Sequence, residues 1–316
     1  MYSHYRPVTC LLLPLVVPLP PDLTMEETPD FLENGRRYAS FLGRRYLLPI
    51  DSDEKNRLDF FHAIVRLARG GKLFGMHLPP HPRVLDLGTG TGIWAIDVSD
   101  QLWEGSHEHA IVDGLDLSPI QPREVPLSVS FTRTNIEGPW PLPPGYDLIH
   151  VQMLLGSICD WKGIYERSFS YLRPGGYLEH VEIGWKFFSD DGTLQPSSSL
   201  AIWSEELHRA MRRAGTPLDV DEETQSKLRI TGFVDVTESV INLPINTWSD
   251  QPNEKKLGTW FNGGLSLAAD VMSLAPLTRI ERQATGDILK LVRRMKEESC
   301  RLSIHGYCKL VDMILL

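Results

Sequence analysis

The stretch Val84-Leu85-Asp86-Leu87-Gly88-Thr89-Gly90-Thr91-Gly92 constrains the fold more than any other part of this 316-residue chain. An apolar run enters a turn with glycine at every second position, and helical spacing follows. Glycine adopts positive φ at no steric cost and leaves bare main chain for a ligand to lie against. The helix beyond opens with backbone N–H groups that no intrahelical carbonyl accepts from. A strand that turns sharply into a helix starts a βαβ unit, so an α/β fold with a parallel sheet and right-handed crossovers is expected.

The rest of the pattern agrees. Apolar residues at helical spacing mark 31–46 and 54–70. Strands are expected at 83–87, 111–117, 128–133, 146–152 and 177–183, with helices at 91–102 and 161–172. Arg173-Pro174-Gly175-Gly176 stops the second of these helices. Beyond residue 195 the alternation changes to helices at 200–214, 257–274 and 286–298, with strands at 233–241 and 304–316. The expected organisation is one domain over 31–316 with helical insertions at about 195–230 and 254–300, after a disordered extension over 1–30.

Composition excludes some classes. The net charge of −9 disfavours direct nucleic-acid binding, and the basic clusters Arg36-Arg37 with Arg44-Arg45 and Arg293-Arg294 with Lys296 read as solvated helix faces. The apolar run over 8–19 is too short to span a bilayer and carries Pro14 and Pro18. Cys10, Cys159, Cys300 and Cys308 form no Cys-x-x-Cys pair, so neither a metal site nor a disulfide framework is expected. A cytoplasmic or nuclear protein, not secreted and not membrane-bound, is the expectation.

The glycine loop selects its ligand. A nicotinamide dinucleotide fingerprint needs glycine at position 93, where Ile93 stands. Gly-x-Gly-x-Gly with an acid two residues before it is the variant used for S-adenosylmethionine, which carries an adenosine and a zwitterionic amino-acid tail. Asp86, Gly88, Thr89, Gly90, Thr91 and Gly92 are the candidate contacts, with Asp86 near the tail's ammonium; a plain Gly-rich turn is the alternative. Asp116, with Leu117, ends the next strand, where such sheets bind ribose hydroxyls, or it caps the turn at Ser118-Pro119. Asn135 and Ile136 are candidates for adenine, though Asn135 also suits a turn. Gln152 and His150, on the strand bordering the crevice, are candidates to face cofactor or substrate, while a buried structural histidine is the competing reading.

Further residues carry a resemblance. Glu33-Asn34-Gly35-Arg36-Arg37-Tyr38, Tyr46-Leu47-Leu48-Pro49, the glycine loop through Ile93-Trp94-Ala95-Ile96-Asp97, Asp116-Leu117-Ser118-Pro119-Ile120-Gln121-Pro122, Leu172-Arg173-Pro174-Gly175-Gly176-Tyr177-Leu178-Glu179 and Ile304-His305-Gly306-Tyr307 resemble the fungal LaeA-like methyltransferase family, tied to secondary metabolism. The resemblance runs over roughly 33–310. It implies a Rossmann-like seven-strand class I methyltransferase sheet, S-adenosyl-L-methionine as cofactor, and an N-terminal helical lid over Glu33 to Asp59 packed near the cofactor, with Arg37 and Tyr46 as candidate contacts and helix-surface packing as the alternative for those two. Relatives usually carry an acid where Asn135 stands, and they tend to finish with a further strand rich in Val and Tyr and a basic tail, so a shortened or altered last strand is expected here.

Methyl transfer from a sulfonium expels a neutral thioether, so positioning supplies most of the catalysis. A base is needed only for a protonated acceptor, and His150, Glu179 and His180 are the candidates. Two functions follow from the resemblance: methylation of a small secondary metabolite, or regulation through nuclear protein partners.

Overall fold

The described residues begin with a hairpin over 31–38, where apolar spacing over 31–46 suggested a helix. β1 (Phe31–Glu33) pairs antiparallel with β2 (Arg36–Tyr38). Asn34 and Gly35 join them with φ of 49° and 77°. Two successive left-handed residues form the turn whose twist suits a hairpin, and Asn-Gly is its strongest short-range signal. Asp51 docks this hairpin on α1 (Ser52–Ala68). It accepts from Arg36 Nε (2.7 Å), Arg36 Nη2 (2.6 Å) and the Arg37 N–H, and it caps the helix through the Glu54 N–H (3.1 Å). The structure, a computed structural model, describes residues 30–40, 46–105, 107, 109–221 and 223–316. The run over 8–19, Cys10 and Arg44-Arg45 lie outside the described residues.

β3 (Arg83–Leu87) feeds the glycine loop and then α2 (Ile93–Glu104). β4 (Ile111–Asp116), β5 (Val129–Arg133) and β6 (Tyr146–Gln152) follow. α3 (Trp161–Tyr171) runs directly into β7 (Leu172–Phe188). α4 (Ser199–Ala214) and α5 (Thr224–Thr231) precede β8 (Thr237–Pro244). α6 (Pro252–Ala275), a π turn at Pro276–Ile280 and α7 (Thr285–Ser299) lead to β9 (Tyr307–Leu315).

The sheet order is β5-β4-β3-β6-β7-β9-β8. β9 runs antiparallel to both neighbours, and the pairs among β3 to β7 are parallel. The last strand pairs on one side with β7 from Leu178↔Leu315 to Phe188↔Tyr307, and on the other with β8 from Thr237↔Ile314 to Pro244↔Tyr307. The sheet's edges are therefore β5 and β8.

The chain winds outward from β3 in one direction and from β6 in the other. Their boundary is the switch point, where strand ends diverge and open a crevice at the carboxyl edge. On one face Trp94, Val98 and Leu102 of α2 pack on Val84, Val112 and Leu148. On the other, Ile164 and Tyr165 of α3 cover Leu85, Ile149 and Leu178. The largest cluster joins Phe61, Trp185, Trp203, Phe261 and Leu265, so α1, α4 and α6 stack as a helical layer beside β7 and β9. Among the described residues no helix is long and apolar enough to cross a membrane.

Candidate functional site

A cavity with about 870 Å³ of non-atom space, open solvent included, lies at the switch point. Its floor is Gly88 and Gly90 of the loop, Asp116 and Leu117 at the end of β4, Asn135 and Ile136 after β5, and Gln152 at the end of β6. Its roof is Tyr46, Glu54, Arg57 and Leu58, from α1 and the approach to it. A narrower recess lies on the other side of the loop, lined by Asp86, Thr89, Thr91, His62 and Trp94 and shared by Gly88, Gly90 and Gln152.

The three loop glycines have different roles. A Cβ on Gly88 would stand 2.3 Å from Leu154 Cδ2, and one on Gly92 would stand 2.4 Å from Phe131 Cζ. Both are bare because the protein's own side chains fill the space. Gly92 is also the left-handed N-cap of α2 (φ 81°) and lines neither recess, so its expected ligand contact is corrected to packing. Gly90 (φ 57°) meets only Leu58 Cδ1 at 3.3 Å and the Gly88 carbonyl at 3.9 Å, so it presents main chain to the cavity. The threonines brace the loop: Thr89 Oγ1 donates to Asp86 (2.5 Å) and Thr91 Oγ1 to Asp59 (2.6 Å).

Asp116 accepts the Gly90 N–H and the Ser118 N–H, each at 2.8 Å, so it performs the capping role and shapes the cavity at once. Gln121, which sequence reasoning gave no role, donates to the Gly90 carbonyl (2.6 Å) and the Ser118 carbonyl (3.1 Å). Asn135 Oδ1 accepts the Glu137 N–H (3.0 Å), the turn role weighed for it, while the residue still lines the cavity.

Electrostatics single out two carboxylates. Burial pushes Asp86 up to about 7; the charge of Asp116 adds to this, and the Thr89 hydroxyl opposes it. Burial pushes Asp116 up to about 6, against the N–H groups that stabilise its anion. Two carboxyls with raised pKa values beside the glycine loop favour a ligand that brings a cation or hydroxyl donors.

None of the three proposed bases reaches the main cavity. His150 is 0% exposed, lies parallel to Trp94 at 3.7 Å, and meets Glu179 Oε2 through Nδ1 at 2.8 Å. Burial lowers its pKa despite that partner. Glu179 is also 0% exposed and takes Arg69 Nη2 (2.5 Å) and the Gly75 N–H (2.8 Å); burial opposes its charge, yet His150 and Arg69 hold its pKa below the usual range. Arg69 also reaches Asp312 (2.9 Å), so these groups form a structural network beneath the site. Strand alternation sends His180 to the opposite face, against Trp161 and Tyr165. Arg37 is exposed and pairs with Leu32 in the hairpin, so it is no roof contact. Tyr46 is one: its hydroxyl meets Ser157, and burial raises its pKa.

The pairing of some lining residues was not legible beforehand. Glu54 and Arg57, inside the segment that the resemblance implies as a lid, form a buried bidentate pair (2.6 and 2.7 Å). Met153 takes φ 58° directly after β6 and lines both recesses. A bulky residue in that region is strained, and such strain clusters at functional sites.

A sheet in this order, with one antiparallel strand inserted and a glycine loop after its first parallel strand, defines the Rossmann-like class I methyltransferase fold. The family described as "Methyltransferase domain" matches residues 52–219. The secondary metabolism regulator LAE1 of Cochliobolus heterostrophus is 38% identical over 286 residues, covering 88% of this chain and 92% of that one. The protein named protein-methionine methyltransferase laeA from Emericella nidulans is 36% identical over 281 residues, covering 87% and 73%. The chain belongs to the LaeA/LAE1 family of methyltransferase-domain proteins. Among solved structures it is similar to a putative methyltransferase from an antibiotic biosynthesis pathway of Anabaena variabilis, with TM-score 0.47 and 15% identity over 80% of this chain and 96% of that one.

Proposed function

We propose that this chain is an S-adenosylmethionine-dependent methyltransferase acting on a small molecule of secondary metabolism. The observation that carries the reading is the pair of desolvated carboxyls, Asp86 and Asp116, flanking the bare main chain of Gly90. Asp86 would hold the donor's ammonium, Asp116 its ribose hydroxyls, and Ile136 with Leu117 the adenine face, with Asn135 offering its second lone pair to the ring's amino group. When bound, the donor supplies an electrophilic methyl and leaves as a neutral thioether. The chain's own part is orientation and exclusion of water. Tyr46, Leu58 and Met153 close over the cavity, and the Glu54–Arg57 pair stiffens the roof.

The described residues lining the main cavity include no histidine, and its acids are engaged: Glu54 by Arg57, Glu137 by the N–H groups of Cys159 and Asp160. Catalysis by positioning, without a resident base, is the corresponding mechanism. A second reading rests on the printed name of the Emericella nidulans relative. There the acceptor is a protein methionine, whose thioether needs no proton removed, and the chain acts as a regulator through a protein target.

Calorimetry with S-adenosylhomocysteine on the wild type and on Gly90→Val tests the donor assignment. Binding by the wild type and at least tenfold weaker binding by the variant is expected, and equal binding refutes it. Mass spectrometry of reactions with small phenolic and amine acceptors, against reactions with protein acceptors, separates the two readings.

A further inference from the structure

A second cavity lies behind the loop that closes the donor cavity. It holds about 700 Å³ of empty space between β7, the start of α3 and the link from α4 to α5. Tyr165, His180 and Thr224 line it and are buried, at 1%, 2% and 5% exposure. Trp161 lines it too, its ring 4.7 Å from that of His180. His180 is poorly satisfied. The Tyr165 hydroxyl stands 3.4 Å from Nδ1. Nε2 lies 3.4 Å from Glu182 Oε1 but makes no hydrogen bond there. Both Glu182 oxygens are already engaged by the N–H groups of Leu154 (2.7 Å) and Leu155 (3.2 Å). A buried imidazole in this state is destabilising, and a missing partner is the usual reason.

The charges around the cavity all have partners. Asp219 meets His208 (2.9 Å), Asp221 meets Lys227, Lys162 meets Glu166 (3.3 Å), and Asp160 caps the Gly163 N–H (2.9 Å). Both lysines are thus paired and no free cation is left among these to select an anion, while, among the described residues, the Asp160 carboxylate is held by a backbone N–H alone. What remains is an aromatic cluster of Trp161 and Tyr165, their planes 29° apart, and one underbonded imidazole. We propose that this cavity is a second small-molecule site, for a neutral hydroxyaromatic ligand whose hydroxyl bonds His180 and whose ring packs on Trp161.

The site is wired to the donor cavity. Leu155 and Cys159 line the second cavity, while Leu154, Ser157 and Ile158 of the same loop line the first. Glu182 holds that loop by two N–H groups and is the nearest polar neighbour of His180 Nε2. Leu154 in turn packs over Gly88. A ligand bonded to His180 shifts the His180–Glu182 contact, and with it the wall of the donor cavity. Donor affinity therefore changes with occupancy, and by linkage the donor changes the ligand's affinity by the same factor. This coupling rests on the donor assignment above; the site itself does not.

The test uses the full chain and 2-naphthol as probe. Fluorescence titration should give saturable binding that persists at saturating S-adenosylhomocysteine, with a shift of the His180 ring nitrogens in ¹⁵N spectra. His180→Phe, which keeps the ring volume, should weaken the probe at least tenfold. Val220→Trp, which fills the cavity from the link, should do the same and decides the matter if His180→Phe melts early. Bound probe should shift the wild-type Kd for S-adenosylhomocysteine at least threefold. Non-saturable binding, displacement by S-adenosylhomocysteine, or equal affinity in both variants overturns the site. An unchanged Kd overturns the coupling alone. If the wild type binds 2-naphthol but no S-adenosylhomocysteine, the donor assignment and the coupling fall while the site stands.

Discussion

Donor affinity should rise with pH through neutrality, and Asp86 should be the cause. In the ligand-free protein this carboxyl is 3% exposed and its pKa is pushed up to about 7. The donor's ammonium pairs with the ionised form, so binding is weighted by the ionised fraction. That fraction is roughly a tenth at pH 6 and about three quarters at pH 7.5, so the affinity for S-adenosylhomocysteine should increase about eightfold, or about 1.2 kcal/mol. Asp116, pushed up to about 6, adds a further rise of about twofold in the same window. Calorimetry at half-unit pH steps reads the sum, and Asp86→Asn isolates the second part: binding weaker at pH 7.5, with only the shallow slope left. A flat profile in the wild type, or an unchanged steep profile in Asp86→Asn, refutes the assignment of the ammonium to Asp86.

The same group sets a stability trend of opposite sense. Its folded pKa is raised, so its stabilising contribution is present below the unfolded value and is lost as pH climbs through about 7. Ligand-free Asp86→Asn should therefore melt above the wild type at pH 8, by at most about 4 kcal/mol of stability, and show little gain at pH 4 in thermal scans. Gly88→Ala should destabilise the fold more than Gly90→Ala, because its Cβ meets Leu154 at 2.3 Å; urea titration ranks the two. Arg69→Met leaves Glu179 and Asp312 without their shared cation and should cost about 3–5 kcal/mol in the same titration. Gly35→Val places a β-branched residue at φ 77° and should loosen the hairpin, raising hydrogen exchange at Arg36 and Tyr38 while the sheet keeps its protection.

Much of the sheet was legible because its evidence is local. Val84 to Gly92 states strand, turn and helix within nine residues, and β4, β5 and β6 fall within a residue or so of the apolar runs that announce them. The hairpin was missed although its signal was local too: Asn34-Gly35 outweighs the helical spacing around it. β7 was expected to begin at residue 177, but pairing of Tyr146 with Leu172 extends it backward through a Pro-Gly-Gly segment. The candidate site was half legible. Gly90, Asp116, Ile136 and Gln152 stand at strand ends, where topology alone puts ligands. The roof was legible only through the resemblance, which implies a lid over Glu33 to Asp59, because Glu54, Arg57 and Leu58 reach the cavity through the docking of α1, a long-range event. For the base candidates the structural alternative holds, because which face of a strand meets the crevice depends on what packs there, and Trp94 and Arg69 enclose His150 and Glu179.

A crystal structure of the full chain with S-adenosylhomocysteine is the most direct measurement. The adenosine should lie along Gly90 with its ribose on Asp116, and the ammonium of the amino-acid tail should lie beside Asp86. Density for the ligand anywhere else, or a loop that stays closed to it, contradicts the account.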